Sequence, residues 1–408
     1  MKKALVVALI LVVALTSVFA GDFKFLFTEL DQHPEILAGF LPTLTSFGAS
    51  YEGFEFVPGN LTQLQVTIGG GYTQRVVFQN PKTGEPLIAN QGIYDCIQAR
   101  WNLKLLQGFG ASWVEGKDLV TVYVGYEGRY EANVDSMKVG ESRLKGYKDA
   151  TTDPKTTGTT EILSLDNWFA SYGITNADNS IYPDLSDDYK AFMNNFYLGV
   201  KLNGMDDKMV ICDGFLSELK LQFAPAFLNK EASYYSITLN AVASKTLYEM
   251  KSSSSDNNVF SIVIIDRVNL NWTDGSKVPV YAQMPVSLGR KVRGFNTNSY
   301  NTNFTAVNNL DIRFSGPEPF IDGIFPRLNL FFDVGTYAGN FFNTELSAST
   351  EAEEKGLERV LCSVGAQLEL SFFDFIDLGF QVSYLINGNN LRNPEQRIIT
   401  GATFFLDF

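Results

Sequence analysis

Along most of the chain, apolar and polar residues alternate with a period of two. Val120, Val122, Val124, Tyr126, Gly128 and Tyr130 share one face of an extended strand, and Thr121, Tyr123, Gly125, Glu127 and Arg129 share the other, because successive side chains of a strand point to opposite sides. The alternation recurs with Tyr235, Ile237, Leu239, Ala241 and Ala243, with Val364, Ala366, Leu368, Leu370 and Phe372, and with Leu378, Phe380, Val382, Tyr384 and Ile386. One face is apolar each time and the other is mostly polar, with charges. The alternating runs reach ten or more residues, about the length of a tilted membrane strand. Connections alternate between tight, as at 373–377, and long and polar, as at 132–159 and 175–189. Tyr126, Tyr130, Tyr384 and Phe408 fall near strand ends, where an aromatic girdle belongs. The pattern predicts an all-β fold: a transmembrane, antiparallel, up-and-down β-barrel over residues 43–408.

Candidate strands lie near 43–56, 62–78, 95–106, 118–131, 159–172, 191–203, 214–228, 233–250, 258–273 and 277–289. Five more follow at 303–314, 326–336, 358–372, 376–387 and 396–408. A bacterial barrel needs an even number, so about sixteen strands are expected, the missing one lying around 150–190. The last strand places Ile398, Thr400, Ala402, Phe404, Leu406 and Phe408 on one face and ends the chain on an aromatic residue. That ending resembles the C-terminal signal of bacterial outer-membrane barrels, with Leu406 where an aromatic residue usually stands.

Composition narrows the class. Met1, Lys2 and Lys3, the apolar run from Ala4 to Leu15 and then Thr16, Ser17, Val18, Phe19 and Ala20 read as a cleaved signal peptide over residues 1–20. Its removal leaves 30 basic against 45 acidic residues, a mature net charge of −15, which argues against nucleic acid as a partner. After residue 20 no apolar run reaches the length of a membrane helix. Residues 21–42, interrupted by His33 and Pro34, form a short periplasmic N-terminal segment, too small for a domain. Cys96, Cys212 and Cys362 have no metal-type spacing and are assigned no disulfide. Catalytic motifs are absent, and one histidine cannot supply a triad and a metal site. Asp178, Asp184, Asp187 and Asp188 read as a solvated loop. No enzyme activity, cofactor or metal is expected.

The most specific stretch is Val292, Arg293, Gly294 and Phe295, read with Phe331, Asp333 and Gly335. A loop threaded through a barrel needs a strong tether, and a guanidinium facing a carboxylate in a narrow lumen supplies charge-assisted, bidentate hydrogen bonds. Gly294 permits a tight turn and Phe295 offers an apolar anchor. Parity puts Asp333 on the lumen face of its strand and Leu328, Leu330, Phe332 and Val334 on the lipid face. Asn309, Asp311 and Arg313 share the lumen face of the intervening strand as support.

This Val-Arg-Gly-Phe loop before five closing strands resembles the sixth-loop motif of the outer-membrane superfamily that includes the Bam and Sam insertases and the two-partner-secretion transporters. The resemblance covers residues 286–408 closely and the earlier chain only in architecture. It implies a surface-antigen-type barrel with its sixth extracellular loop folded into the lumen and the Arg meeting the Asp two strands on. Residues 21–42 cannot hold one periplasmic POTRA domain, so the resemblance is to a barrel-only branch. The implied function is protein or lipid transport or assembly at the bacterial outer membrane. The implied partners are membrane lipid, the barrel-assembly machinery for its own insertion, and a client polypeptide or lipid. A porin-like channel and a surface adhesin or structural barrel are the alternatives.

Overall fold

The computed structural model describes residues 22–30, 45–52, 54, 56–76, 93–114, 117–134, 189–207, 212–251, 258–283, 288–295, 302–316, 324–342, 359–372, 376–388 and 395–406. The signal-peptide residues, the candidate strand 159–172, His33, the four loop aspartates and Phe408 lie outside them.

The alternating segments form β1 (Asp22–Leu30), β2 (Thr45–Glu52), β3 (Thr62–Val76), β4 (Ile93–Ala111), β5 (Asp118–Val134), β6 (Lys190–Asp207) and β7 (Cys212–Ala224). They continue as β8 (Ser233–Lys251), β9 (Asn258–Lys277), β10 (Thr302–Ser315), β11 (Ile324–Phe341), β12 (Val360–Phe372), β13 (Ile376–Asn387) and β14 (Ile398–Leu406). Each strand pairs antiparallel with the next, in one sheet ordered β1 to β14.

Two expectations change. The segment 21–42, expected to precede the barrel, contributes β1, whose Asp22 to Leu30 pair with Glu52 to Thr45 of β2. The segment 277–289, expected as a strand, instead carries a helical turn, α1 (Val280–Gln283), and a 3-10 turn at Leu288–Arg290. The expected strand 159–172 and the further one around 150–190 lie outside the described residues; β5 and β6 are direct neighbours, Val120–Ala132 pairing with Leu202–Lys190. The described sheet holds fourteen strands, nine before the Arg293 loop and five after it. The long connections all fall at one end, the loop at 278–301 among them.

Polarity across the sheet is the inverse of a soluble protein's. On β11, Leu328, Leu330 and Phe332 are exposed while Phe331, Asp333 and Tyr337 are buried. On β5, Val122 and Val124 are exposed while Thr121, Tyr123, Arg129 and Glu131 are buried. An outer apolar face over an inner charged one fits a lipid solvent. Outer rings form two belts: Tyr130 on Phe192 and Tyr235 on Trp272 toward the long loops, Trp113 on Phe215 and Tyr248 near Phe260 toward the short turns. Aliphatic Val122, Val124, Leu198 and Val200 lie between.

Contacts across the concave face show the curl. Tyr189, beside β6, and Phe342, beside β11, belong to one buried cluster with Tyr234, Val278 and Tyr281. Five strand spacings of a flat sheet would hold β6 and β11 about 24 Å apart. Cys96, Cys212 and Cys362 are buried, and none of the three is in a disulfide among the described residues.

If the exposed face meets lipid, Leu330→Arg costs about 2–4 kcal/mol in equilibrium unfolding from vesicles, the range for a cation near the bilayer midplane. A change under about 0.5 kcal/mol, the range usual for neutral surface sites, contradicts that assignment.

Candidate lumen loop and its lock

The loop between β9 and β10 re-enters the sheet's concave side through two short turns. Pro279 has no N–H to leave unpaired at a helix start, and its carbonyl accepts from the amides of Ala282 (2.9 Å) and Gln283 (3.3 Å). The resulting turn aims Tyr281 at the β5–β8 wall. Its hydroxyl lies 3.4 Å from Asn195 Nδ2 and 3.4 Å from the Tyr234 hydroxyl, and the Arg129 guanidinium stacks 4.0 Å from its ring centre. Arg129 is itself held by Glu131 (2.9 Å) and Glu127 (3.1 Å). Burial is the largest influence on Tyr281 and pushes its phenol up to about 12, so it hydrogen-bonds as a neutral group.

The second turn faces the opposite wall. The amides of Lys291 (3.0 Å) and Val292 (3.1 Å) donate to the Leu288 carbonyl, and the Phe295 amide donates to that of Val292 (3.3 Å). These turns gather Leu288, Val292 and Phe295 on one side, where they pack with Val307 of β10, Tyr337 of β11, Leu361 of β12 and Leu385 of β13. Gly335 makes the approach possible: a Cβ there would sit 2.7 Å from both Leu288 Cδ1 and Val292 Cγ2. Gly294 has φ +94°, and a Cβ would meet Ser383 Cβ at 2.8 Å. That position needs glycine both for its backbone and for its space.

Arg293 closes the lock. Its Nε donates to Asp333 Oδ2 (2.8 Å), its Nη2 to Asp333 Oδ1 (2.6 Å), and its own amide to Oδ2 (2.9 Å). Nη2 also reaches Asp311 Oδ1 (2.6 Å), whose other oxygen pairs with Arg267 of β9. The guanidinium lies 3.9 Å from the centre of the Phe331 ring. Asp333 is fully buried. Burial opposes the charge on Arg293, but the hydrogen bonds and charge of Asp333, with those of Asp311, outweigh it and hold the guanidinium pKa above its ordinary value.

The structure brings together Val292, Arg293, Gly294, Phe295, Phe331, Asp333 and Gly335. Asn309 lies opposite Asp333 in the ladder and donates to the Lys291 carbonyl (2.9 Å). Asp311, expected as support, is a direct second acceptor for Arg293. Arg313 is buried on the same face, one inward position past Asp311. Phe404 and Leu406 lie in β14 opposite Leu378 and Ile376, apart from the lock. Sequence reasoning missed Tyr281, whose signal was Pro279 at the head of a turn, and Arg267, for which local sequence holds no signal. Among the described residues no group of three or more His, Cys, Asp or Glu side chains could hold a metal ion.

Residues 118–372 match the Omp85 superfamily domain. The fold is similar to the crystal structure of BamA from Haemophilus ducreyi lacking POTRA domains 1-3, with a TM-score of 0.50 and 13% identity. The match covers 89% of this chain and 62% of that one. Comparison with curated proteins finds no match to the sequence.

Arg293→Ala and Asp333→Ala should each cost about 3–5 kcal/mol, as for breaking a buried pair. Their double-mutant cycle should show coupling of about 2 kcal/mol or more, and additive losses in vesicle unfolding contradict the contact. The charge swap Arg293→Asp with Asp333→Arg should not restore stability, because the new carboxylate faces Asp311. Gly335→Val should dislodge the loop, read as faster proteolysis within 278–301; protection equal to the parent's refutes the close approach.

Proposed function

The chain belongs to the Omp85 superfamily, and from that premise we propose that it acts in protein or lipid transport or assembly at the bacterial outer membrane. Export by cleavage of residues 1–20 and insertion by the barrel-assembly machinery are part of this reading. The observation that carries it is the braced loop. A segment fixed to the β5–β8 wall through Tyr281 and to the β10–β13 wall through Arg293 and Phe295 occupies the space a passive pore leaves open.

The lengths of the outer strands support the same reading. β1, β2 and β14 have 9, 8 and 9 residues, whereas β8 and β9 have 19 and 20. β1 and β14 are the two ends of the described sheet, and a seam between strands this short would offer few ladder hydrogen bonds, making lateral opening toward lipid less costly. A protein or lipid client is best served by such an opening, while a small solute needs only a hole.

Depleting the protein in its native cell and measuring the outer membrane's protein and lipid content tests the proposal. A change in either supports it, and unchanged content of both rules it out. In planar bilayers the parent should be nearly silent and Arg293→Ala should conduct, because the loop is released. A large steady conductance in the parent, equal to that of Arg293→Ala, favours a porin-like channel instead.

A further inference from the structure

Away from the Arg293 lock, the wall formed by β4 to β7 carries a second built feature. Tyr123 of β5 lies opposite Gly199 of β6 in the ladder, and Gly125 of β5 lies opposite Tyr197 of β6. Each tyrosine ring covers the facing glycine: a Cβ on Gly199 would meet Tyr123 Cζ at 2.3 Å, and one on Gly125 would meet Tyr197 Cζ at 2.2 Å. The two rings are 6.0 Å apart, edge to face.

Three ammonium groups rest on this platform. Lys104 and Lys201 lie 4.4 and 5.9 Å from the Tyr123 ring centre, and Lys220 lies 4.9 Å from that of Tyr197. Glu218 is the carboxylate among them, accepting from the Tyr123 hydroxyl (2.5 Å) and pairing with Lys201 (3.6 Å). Lys104 and Lys220 make no ion pair among the described residues. Cation–π contact offsets only part of the repulsion among three gathered cations.

Two members of the platform, Lys220 and Glu218, also line a chamber of about 470 Å³ between this wall and the loop. Four cations, Arg100, Arg129, Lys220 and Lys291, and two carboxylates, Glu127 and Glu218, line it together with hydroxyl and amide groups. In a chain of formal net charge −13 this chamber carries an excess of cations.

We propose that this platform, at the edge of the chamber, binds a phosphate-bearing anion, with Lys104, Lys201 and Lys220 as its charge partners. Lysines act as point charges toward phosphate, and three gathered on two adjoining rings suit one compact, multiply charged group. Carboxylates spaced along a polypeptide would call for cations spread along the wall. The charged, hydroxyl and amide side chains of the neighbouring chamber suit a headgroup or a free phosphate rather than an acyl chain.

The test uses the purified full chain in zwitterionic detergent, with inorganic pyrophosphate titrated by calorimetry. Saturable binding is expected, weakened at least tenfold in Lys104→Gln/Lys220→Gln and unchanged in Lys245→Gln, an exposed lysine paired with Asp213. A measurement on the parent chain avoids any folding defect of the variant: pyrophosphate should shield Lys104 and Lys220, but not Lys245, from amine acylation read by mass spectrometry. Tighter binding of monomeric dihexanoyl phosphatidic acid than of pyrophosphate identifies a lipid headgroup, and weaker binding identifies free phosphate. Absence of saturable binding for both probes overturns the proposal, as does binding unaffected in the folded double variant. Preference for a polyglutamate peptide over both probes also overturns it.

Discussion

A charged fork buried between a loop and a wall constrains much of this molecule. Asp333 is sealed from solvent, and a sealed carboxylate is costly unless its oxygens are filled. Arg293 fills them with two side-chain donors and one backbone donor. That geometry requires the loop backbone to lie close against β11, which in turn requires the missing side chain at Gly335 and the positive φ at Gly294. The apolar contacts of Leu288, Val292 and Phe295 then form around a loop whose position is already fixed by charge.

The solvent outside the barrel explains the rest of the arrangement. Lipid accepts the aliphatic face without penalty, so burial of apolar surface between layers cannot organise the interior as it does in a soluble sandwich. Inside, hydrogen bonds, ion pairs and ring contacts take that role, as around Arg129 and Tyr281 and again around Arg293 and Asp311. The loop is braced on two walls by two chemistries: a neutral phenol with a stacked guanidinium on one, a forked ion pair over an aromatic ring on the other.

Much of this was legible from period alone. Alternation identified the long central strands and sorted Leu330 from Phe331 and Asp333, because a one-residue step changes the face. Residues 22–30 were not legible as a strand because Phe23, Phe25, Leu26 and Phe27 break clean alternation, and pairing with β2 decides their state. The 277–289 segment misled in the other direction: Val278, Val280 and Ala282 mimic alternation, yet Pro279 starts a helical turn, and short apolar runs suit either period. Asp311 was placed on the correct face, but its shared hold on Arg293 and Arg267 depends on two strands meeting one loop. Such a convergence has no local signature.

The bracing of the loop also sets what it can transmit. One of its turns is held to the β5–β8 wall through Tyr281 and the other to the β10–β13 wall through Arg293 and Phe295. Neither hold stretches easily, since one is a stacked and hydrogen-bonded ring and the other a forked ion pair. The loop works as a cross-strut, and a change in the curvature of either wall bears directly on the other through it.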